Sequence, residues 1–560
     1  MSFMSSLNAG QTADAAPQPD GAQPRRRFTD QIVGIVAAIA GGSAKIHLDI
    51  AAMEALGGHE DASIALAGQV GSQIKMPVGQ CWVVATVRTL SIDPRVPQHV
   101  VADIDFVGEG DQEQLTGRIF RFRRGVTRFP VPGTSVFPVA QADMLEIYAA
   151  HDQVCVEIGT VYPTADTRAA LLVDALLGKH FALLGSTGTG KSTATALILH
   201  RICDLSPQGH IVMIDPHGEY GAAFADNGEV YGAANLALPY WLMNFEEHCE
   251  VFVTSHGPER AQDRDILAKC LLAARARNRA AEGIGRLTVD SPVPYLLSDL
   301  ATILANEMGK LDKSTNTLPY LRLRTRLDEI RSDPRFGFMF SGMLVADSMQ
   351  QFLTKIFRLP ARGRPISIID TSAMPSEITH VVVSVLARLI FDFAIWSRGE
   401  EQKPILLVCE EAHRYIPASN MGEGQSVRRI LERIAKEGRK YGVSLGLVTQ
   451  RPSDLAEGVL SQCGTIIAMR LNNDRDQNFV KAAMPEGSRG FLDAIPALRN
   501  RECVVCGEGV TVPIRVAFDN LEARRRPASA DPVFSELWRQ CGGEEEVVER
   551  TINRWRNQGY

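Results

Sequence analysis

The sequence predicts an α/β chain in which a mostly parallel sheet with a helical insert follows a small β-barrel. Three observations carry that expectation. Short Val- and Ile-rich runs punctuated by Gly and Pro fill residues 28–155, strand-like apolar runs alternate with long helical periods from residue 156, and a glycine-rich loop joins one of those strands to a helix. At 560 residues and 45% hydrophobic content, the chain can bury a large core in more than one domain.

Residues 1–27 are rich in Ala, Gln, Pro, Gly and Asp with almost no large apolar side chains, so a disordered tail is expected there, and no apolar stretch in it reads as a secretory signal. The runs QIVGIVAAIA, SAKIHLDI, QCWVVATVRTL, HVVADIDFVG and GRIFRFRRGVTRFPV predict the barrel over 28–155. Residues 156–523 form the predicted core, with strands at HFALLGS, HIVMIDP, PISIIDT, PILLVCE, VSLGLVTQ and TIIAMRL. Helical patterns such as RDILAKCLLAARARNRAA and LPYLRLRTRLDEIRSD place a helical insert at about 239–362. The tail 524–560 is amphipathic, and with Trp538 it reads as a brace against an adjacent subunit.

The longest apolar stretch, residues 381–395, is interrupted by Arg388 and Asp392 short of the roughly 20 residues a bilayer span needs, so the expectation is a cytoplasmic protein with no membrane partner. Cys503 and Cys506 lie in ECVVCGEG without a second CxxC or a nearby His pair, which predicts a reduced buried pair rather than zinc. A formal net charge of −6 argues against wholesale coating of nucleic acid and leaves room for a local basic channel.

The strongest motif is the unbroken run Gly185, Ser186, Thr187, Gly188, Thr189, Gly190, Lys191, Ser192, which follows an apolar strand and precedes a helix beginning near Thr193. Glycines there let backbone N–H groups turn toward phosphate oxygens at a helix N-terminus; Lys191 reaches the β and γ phosphates of ATP, and the Ser192 hydroxyl holds Mg²⁺. A later strand stops at Glu410 and Glu411. In the usual arrangement the first acid contacts Mg²⁺ and the second polarises the attacking water. The strand HIVMIDP places Asp215, and just beyond it Glu219, either near the nucleotide, with Glu219 alternatively meeting a neighbouring subunit, or in an ordinary Asp-Pro and His-Gly turn. His217 and His413 lack metal-ligand companions at useful spacing and read as hydrogen-bonding scaffold. Gln450 closes the strand after the acids, where a polar side chain senses the γ-phosphate. Arg439, Arg451 and Arg470 are candidates for an arginine supplied across an interface.

GSTGTGKST, IDPHGEY, SDPRFGFMF, CEEAHRYIP, IAKEGRKYG, LVTQRPSDL and SQCGTIIAMRL, in that order, resemble the HerA-type ATPases of the HerA/FtsK superfamily over about residues 35–518. The resemblance implies a RecA-like P-loop NTPase core with a HAS-barrel-like N-terminal domain, a homo-hexamer, and ATP-driven translocation of double-stranded DNA, with a NurA-like nuclease or another effector as partner in DNA end processing or phage defence. It places Lys191, Ser192, Glu411 and Gln450 on nucleotide and catalytic positions and Arg439 on the trans-acting arginine, with Arg451 directly after the sensor. The sequence departs from many relatives in carrying Glu410 where they have Asp. Two other functions compete: a regulatory ATPase ring that assembles and gates an effector, and a secretion or conjugation ATPase.

Overall fold

Period-two alternation decides how the N-terminal region packs. In the computed structural model, which describes residues 31–92, 99–164, 166–310, 316–419, 424–484, 489–528, 533–539 and 544–556, strands Ser43–Asp49, Gly34–Ala40, Ser135–Pro138, Gln73–Val78, Cys81–Ile92 and His99–Gln112 follow one another around a barrel. Antiparallel pairing of Ser43–Asp49 with His99–Gln112 closes it, and Ile119–Arg124 hangs on the last strand. In Cys81–Ile92, Val83, Ala85 and Val87 join the barrel interior, while Trp82 and Val84 face outward and pack with Val156, Ile514 and Val516 of a second sheet. The tail read in residues 1–27 lies outside the described residues.

Two barrel strands escaped the sequence pattern. Gln73–Val78 carries Lys75 where an apolar residue would mark a strand; the lysine is buried, paired with Asp143 at 2.7 Å and packed on the Trp82 ring at 4.6 Å. Asp143 also accepts the backbone N–H groups of Ile119 and Ala140, so the buried charge is fully engaged. Ser135–Pro138 has only four residues, too few for a periodicity.

The second sheet has eleven strands in the order Gly228–Tyr231, Ile366–Asp370, Ile211–Asp215, Ile405–Cys409, Val443–Thr449, Phe181–Leu184, Thr465–Met469, Glu502–Gly507, Ile514–Phe518, Cys155–Val161 and Arg168–Leu172. The first seven run parallel and the remainder pair antiparallel. All six strands read from the sequence lie in the parallel part. The registers Leu184↔Thr449 and Ile214↔Cys409 bring the C-terminal ends of four central strands to one edge, where α/β sheets bind ligands. Cys503 and Cys506 sit three apart on one strand and therefore fall on opposite faces of the sheet, in different apolar clusters.

The insert is helical, with Phe245–Phe252, Pro258–Arg275, Leu297–Gly309, Leu318–Ser332 and Met349–Ile356 packed on one face of the sheet. Helix Ser376–Trp396 is long and apolar enough by composition to cross a membrane, yet 72% of its apolar window is buried inside the protein. Arg388 within it pairs with the fully buried Glu247 at 3.0 Å and with Asp392 at 3.0 Å. Next to that pair, burial and the Arg275 charge push the His248 imidazole down to about 3, from an ordinary 6.5. The folded state therefore keeps His248 neutral while the unfolded chain takes up a proton below pH 6.5, so the stability present above 6.5 is lost as pH falls toward 3. The urea midpoint is expected to drop steeply over that window in the parent and less steeply in His248→Gln; identical slopes would contradict it.

Candidate active site

The loop after Phe181–Leu184 is held by its neighbours in the sheet. The Gly185 N–H donates to the Thr449 carbonyl at 3.3 Å and the Ser186 N–H to the Arg470 carbonyl at 2.9 Å, while the Thr189 carbonyl accepts from the Arg501 N–H at 3.0 Å. A side chain at Gly185 would meet the Met469 Cβ at 2.8 Å, and Gly188 and Gly190 adopt φ of +77° and +96°, so each glycine answers a steric need. Helix Lys191–Leu205 starts directly at Gly190, leaving its first N–H groups at the mouth of the loop. The Lys191 ammonium donates to the Ser186 carbonyl at 3.2 Å, which keeps it curled over the loop.

A cleft of about 440 Å³ opens there, lined by Thr187, Gly188, Gly190, Lys191, Ser192, Thr193, His217, Glu219, Glu410, Glu411, Gln450 and Pro527. The nucleotide and acid residues read from the sequence thus converge on one space, from the ends of three strands and one turn. Gly185, Ser186 and Thr189 support the loop from behind; Thr189 Oγ1 donates to the Ser186 carbonyl at 2.8 Å. Gln450 accepts a hydrogen bond from the Thr187 hydroxyl, tying the strand end to the loop. Asp215 does not line the cleft: it is fully buried and accepts the N–H groups of His217, Gly218 and Tyr220, thereby shaping the turn that presents His217 and Glu219.

The two acids are set apart by their surroundings. Burial, then the neighbouring Glu411 charge, pushes Glu410 up to about 8. Glu411 is also desolvated, but the imidazole of His413 at 3.2 Å, with Lys191 and with His217 at 3.8 Å, outweighs burial and holds it below the ordinary glutamate value. The His413, Lys191 and His217 charges thus favour the ionised form of Glu411 beside the phosphate loop, while burial and the Glu411 charge oppose ionisation of Glu410. Glu411 adopts the left-handed conformation, φ 50° and ψ 46°, a cost of about 1–3 kcal/mol for a non-glycine residue that sharply redirects its side chain. His413 Nδ1 also lies 3.0 Å from the Thr449 hydroxyl, so the imidazole bridges Glu411 to the strand that ends in Gln450.

Glu410 Oε2 is buried and, among the described residues, meets no hydrogen-bond partner of good geometry, and it shares the cleft with the Ser192 hydroxyl. An orphaned carboxylate oxygen and a hydroxyl, completed by phosphate oxygens and water, fit Mg²⁺, which takes few protein ligands. Among the described residues no group of three or more His, Cys, Asp or Glu forms a metal site of the all-protein kind.

The three arginines separate in space. Arg451 is exposed, 3.7 Å from Asp454, and borders a neighbouring hollow with Ser186, Thr187 and Gln450. Arg470 is turned to Asn500 at 2.9 Å and serves the loop through its carbonyl. Arg439 lies in the turn Gly438–Tyr441 and lines a different cavity with His210, Pro404 and Val443, at the N-terminal ends of the strands whose C-terminal ends carry the cleft. A five-residue strand puts about 15 Å between those edges, so Arg439 cannot serve the cleft of its own chain. Sequence reasoning missed Arg501, whose Cγ would lie 3.4 Å from a Cβ at Gly190, and Pro527, which comes from beyond the core; neither belongs to a motif.

A strand, a glycine loop capping a helix, and an acid at the end of the strand two places along the sheet make this a P-loop NTPase site. Residues 156–390 match the family described as helicase HerA, central domain. The chain is 27% identical over 500 residues to the DNA double-strand break repair helicase HerA of Pyrococcus furiosus, covering 80% of this chain and 83% of that one. It is 25% identical over 460 residues to the probable DNA double-strand break repair helicase HerA of Methanocaldococcus jannaschii, covering 76% and 88%. Among solved structures, VirB4 of Thermoanaerobacter pseudethanolicus aligns with a TM-score of 0.48 at 14% identity, over 67% of this chain and 99% of that one. These likenesses support an ATPase of the HerA/FtsK type.

Proposed function

We propose that this protein is an ATP-driven translocase or helicase of double-stranded DNA that works as a homo-hexameric ring beside a nuclease or another effector. The observation that carries the ring is the division of the catalytic set: Lys191, Ser192, Glu411 and Gln450 share one cleft, and Arg439 faces away from it at the opposite edge of the sheet. Placed side by side in a ring, one subunit's Arg439 edge meets the next subunit's cleft, and turnover becomes a property of the interface. The HerA helicases among its relatives support DNA as the track.

Within the cleft, backbone N–H groups of residues 188–192 and the Lys191 ammonium bind the triphosphate, and Glu411 orients and polarises the attacking water. Gln450, hydrogen-bonded to the Thr187 hydroxyl, reports the state of the loop to its strand. Ser192 and Glu410 would hold Mg²⁺, which would supply positive charge to the bound triphosphate. The C-terminal helix Glu544–Arg556 exposes Val547, Val548, Ile552 and Trp555, an apolar face suited to bracing an adjacent subunit.

The test is steady-state ATP hydrolysis with and without linear duplex DNA, with the oligomeric mass recorded in the same buffer. Strong stimulation by duplex in a hexamer-sized particle is expected, falling steeply with salt because the contacts are to phosphates. A ring that hydrolyses ATP at the same rate with or without DNA would overturn translocation in favour of an effector-gating scaffold.

A further inference from the structure

After the last core strand, Ile514–Phe518, the chain turns back along the phosphate-loop helix. Asp519 accepts hydrogen bonds from Arg168 at 2.6 Å and from Arg201 at 3.2 Å. Arg525 pairs with Asp204 at 2.7 Å, and its carbonyl lies 3.2 Å from Nε2 of His200, a buried ring stacked on Phe224 at 4.0 Å. His200, Arg201 and Asp204 all belong to helix Lys191–Leu205. The Ala528 N–H then donates to the Glu219 carbonyl at 2.9 Å, in the turn that borders the cleft. Between these fixed points Pro527 becomes a wall of the cleft, together with Thr193.

Thr193 follows Ser192 on the first turn of the helix, so for a nucleotide whose phosphates sit on the loop, Thr193 and Pro527 are taken as the side that receives ribose and base. The Pro527 side chain is an apolar ring without a hydrogen-bonding group, so it can pack on the face of a base without reading its edge. We propose that residues 519–528 form the base-side wall of the nucleotide site, with Pro527 packed against the nucleobase and the Arg525–Asp204 pair holding it in place. The ligand class is a nucleoside triphosphate, and the contact is tolerant of which purine it carries. This rests on the cleft being the nucleotide site.

The experiment compares the affinities of ATP, GTP and inorganic tripolyphosphate for the full-length protein, by competition against a fluorescent nucleotide. Pro527→Gly is expected to weaken ATP and GTP equally, by about 5–10-fold, and to leave tripolyphosphate, which has no base, unchanged. In turnover KM rises while kcat holds. Arg525→Asp should show the same pattern without touching the cleft, and Asp204→Arg added to it should restore affinity. Unchanged ATP affinity in Pro527→Gly, or an equal loss for tripolyphosphate, overturns the proposal. If the parent fails to bind tripolyphosphate or Lys191→Ala binds all three ligands normally, the reading of the cleft itself falls.

Discussion

Glu411→Gln is expected to reduce ATP hydrolysis by about 10²–10⁴-fold while nucleotide affinity stays within a few fold of the parent. The amide keeps the size of the side chain and its position in the left-handed turn at φ 50°, but it cannot carry the negative charge that polarises water. The carboxylate that would be lost is the one held ionised despite its desolvation by His413, Lys191 and His217. Glu410 cannot take over, because it is buried beside Ser192, where it would be engaged by Mg²⁺. Single-turnover hydrolysis and equilibrium binding of a fluorescent nucleotide separate the two quantities. Retained hydrolysis would mean that another group activates water.

Arg439→Ala is expected to lower kcat by about 10³–10⁵-fold, the range for an arginine that stabilises charge on a transferring phosphoryl group. Its place at the far edge of the sheet makes the deficit complementable. Mixed with Lys191→Ala, which lacks a working cleft but keeps its arginine, the Arg439→Ala chain should regain turnover wherever the two sit side by side in the right order. Either variant alone stays inactive. A mixture that is no better than its parts would remove Arg439 from the neighbour's reaction and turn attention to Arg451, which borders its own Gln450.

The parallel sheet was legible in the sequence because its buried strands are short apolar runs, four of them ending in a chemically distinctive residue: Gly185, Asp215, Glu410 or Gln450. The edge strand Gly228–Tyr231 has four residues, two of them only partly buried, and left no such trace. Glu411 and Lys191 were visible because phosphate chemistry demands those residue types at fixed offsets. The histidines on Glu411 were read as hydrogen-bonding scaffold but without their partner: His217 lies on a different strand end, and no spacing rule links it to an acid nearly two hundred positions away. Asp215 was left between two readings, nucleotide neighbour and ordinary turn, and the structure takes the turn. A carboxylate at a strand end has the appearance of a ligand, but here three backbone N–H groups consume it. Pro527 was invisible for a simpler reason, since a proline in a charged tail carries no periodicity, and only the ion pairs along the helix bring it home.

The order of strands in space differs from their order in the chain, and this sets a timetable for biosynthesis. Phe181–Leu184 is the first parallel strand to leave the ribosome, yet it is flanked by Val443–Thr449 and Thr465–Met469, which emerge last of the parallel set. The loop's two anchoring carbonyls, on Thr449 and Arg470, come with them. At about 5–20 residues per second the nascent chain spends on the order of 15–60 s carrying a complete phosphate-loop sequence with nothing to brace it. The barrel, closed by strands that all lie before Gln141, can be finished long before. Nucleotide can therefore act as a folding ligand only at the end of synthesis, when the loop finally acquires both neighbours.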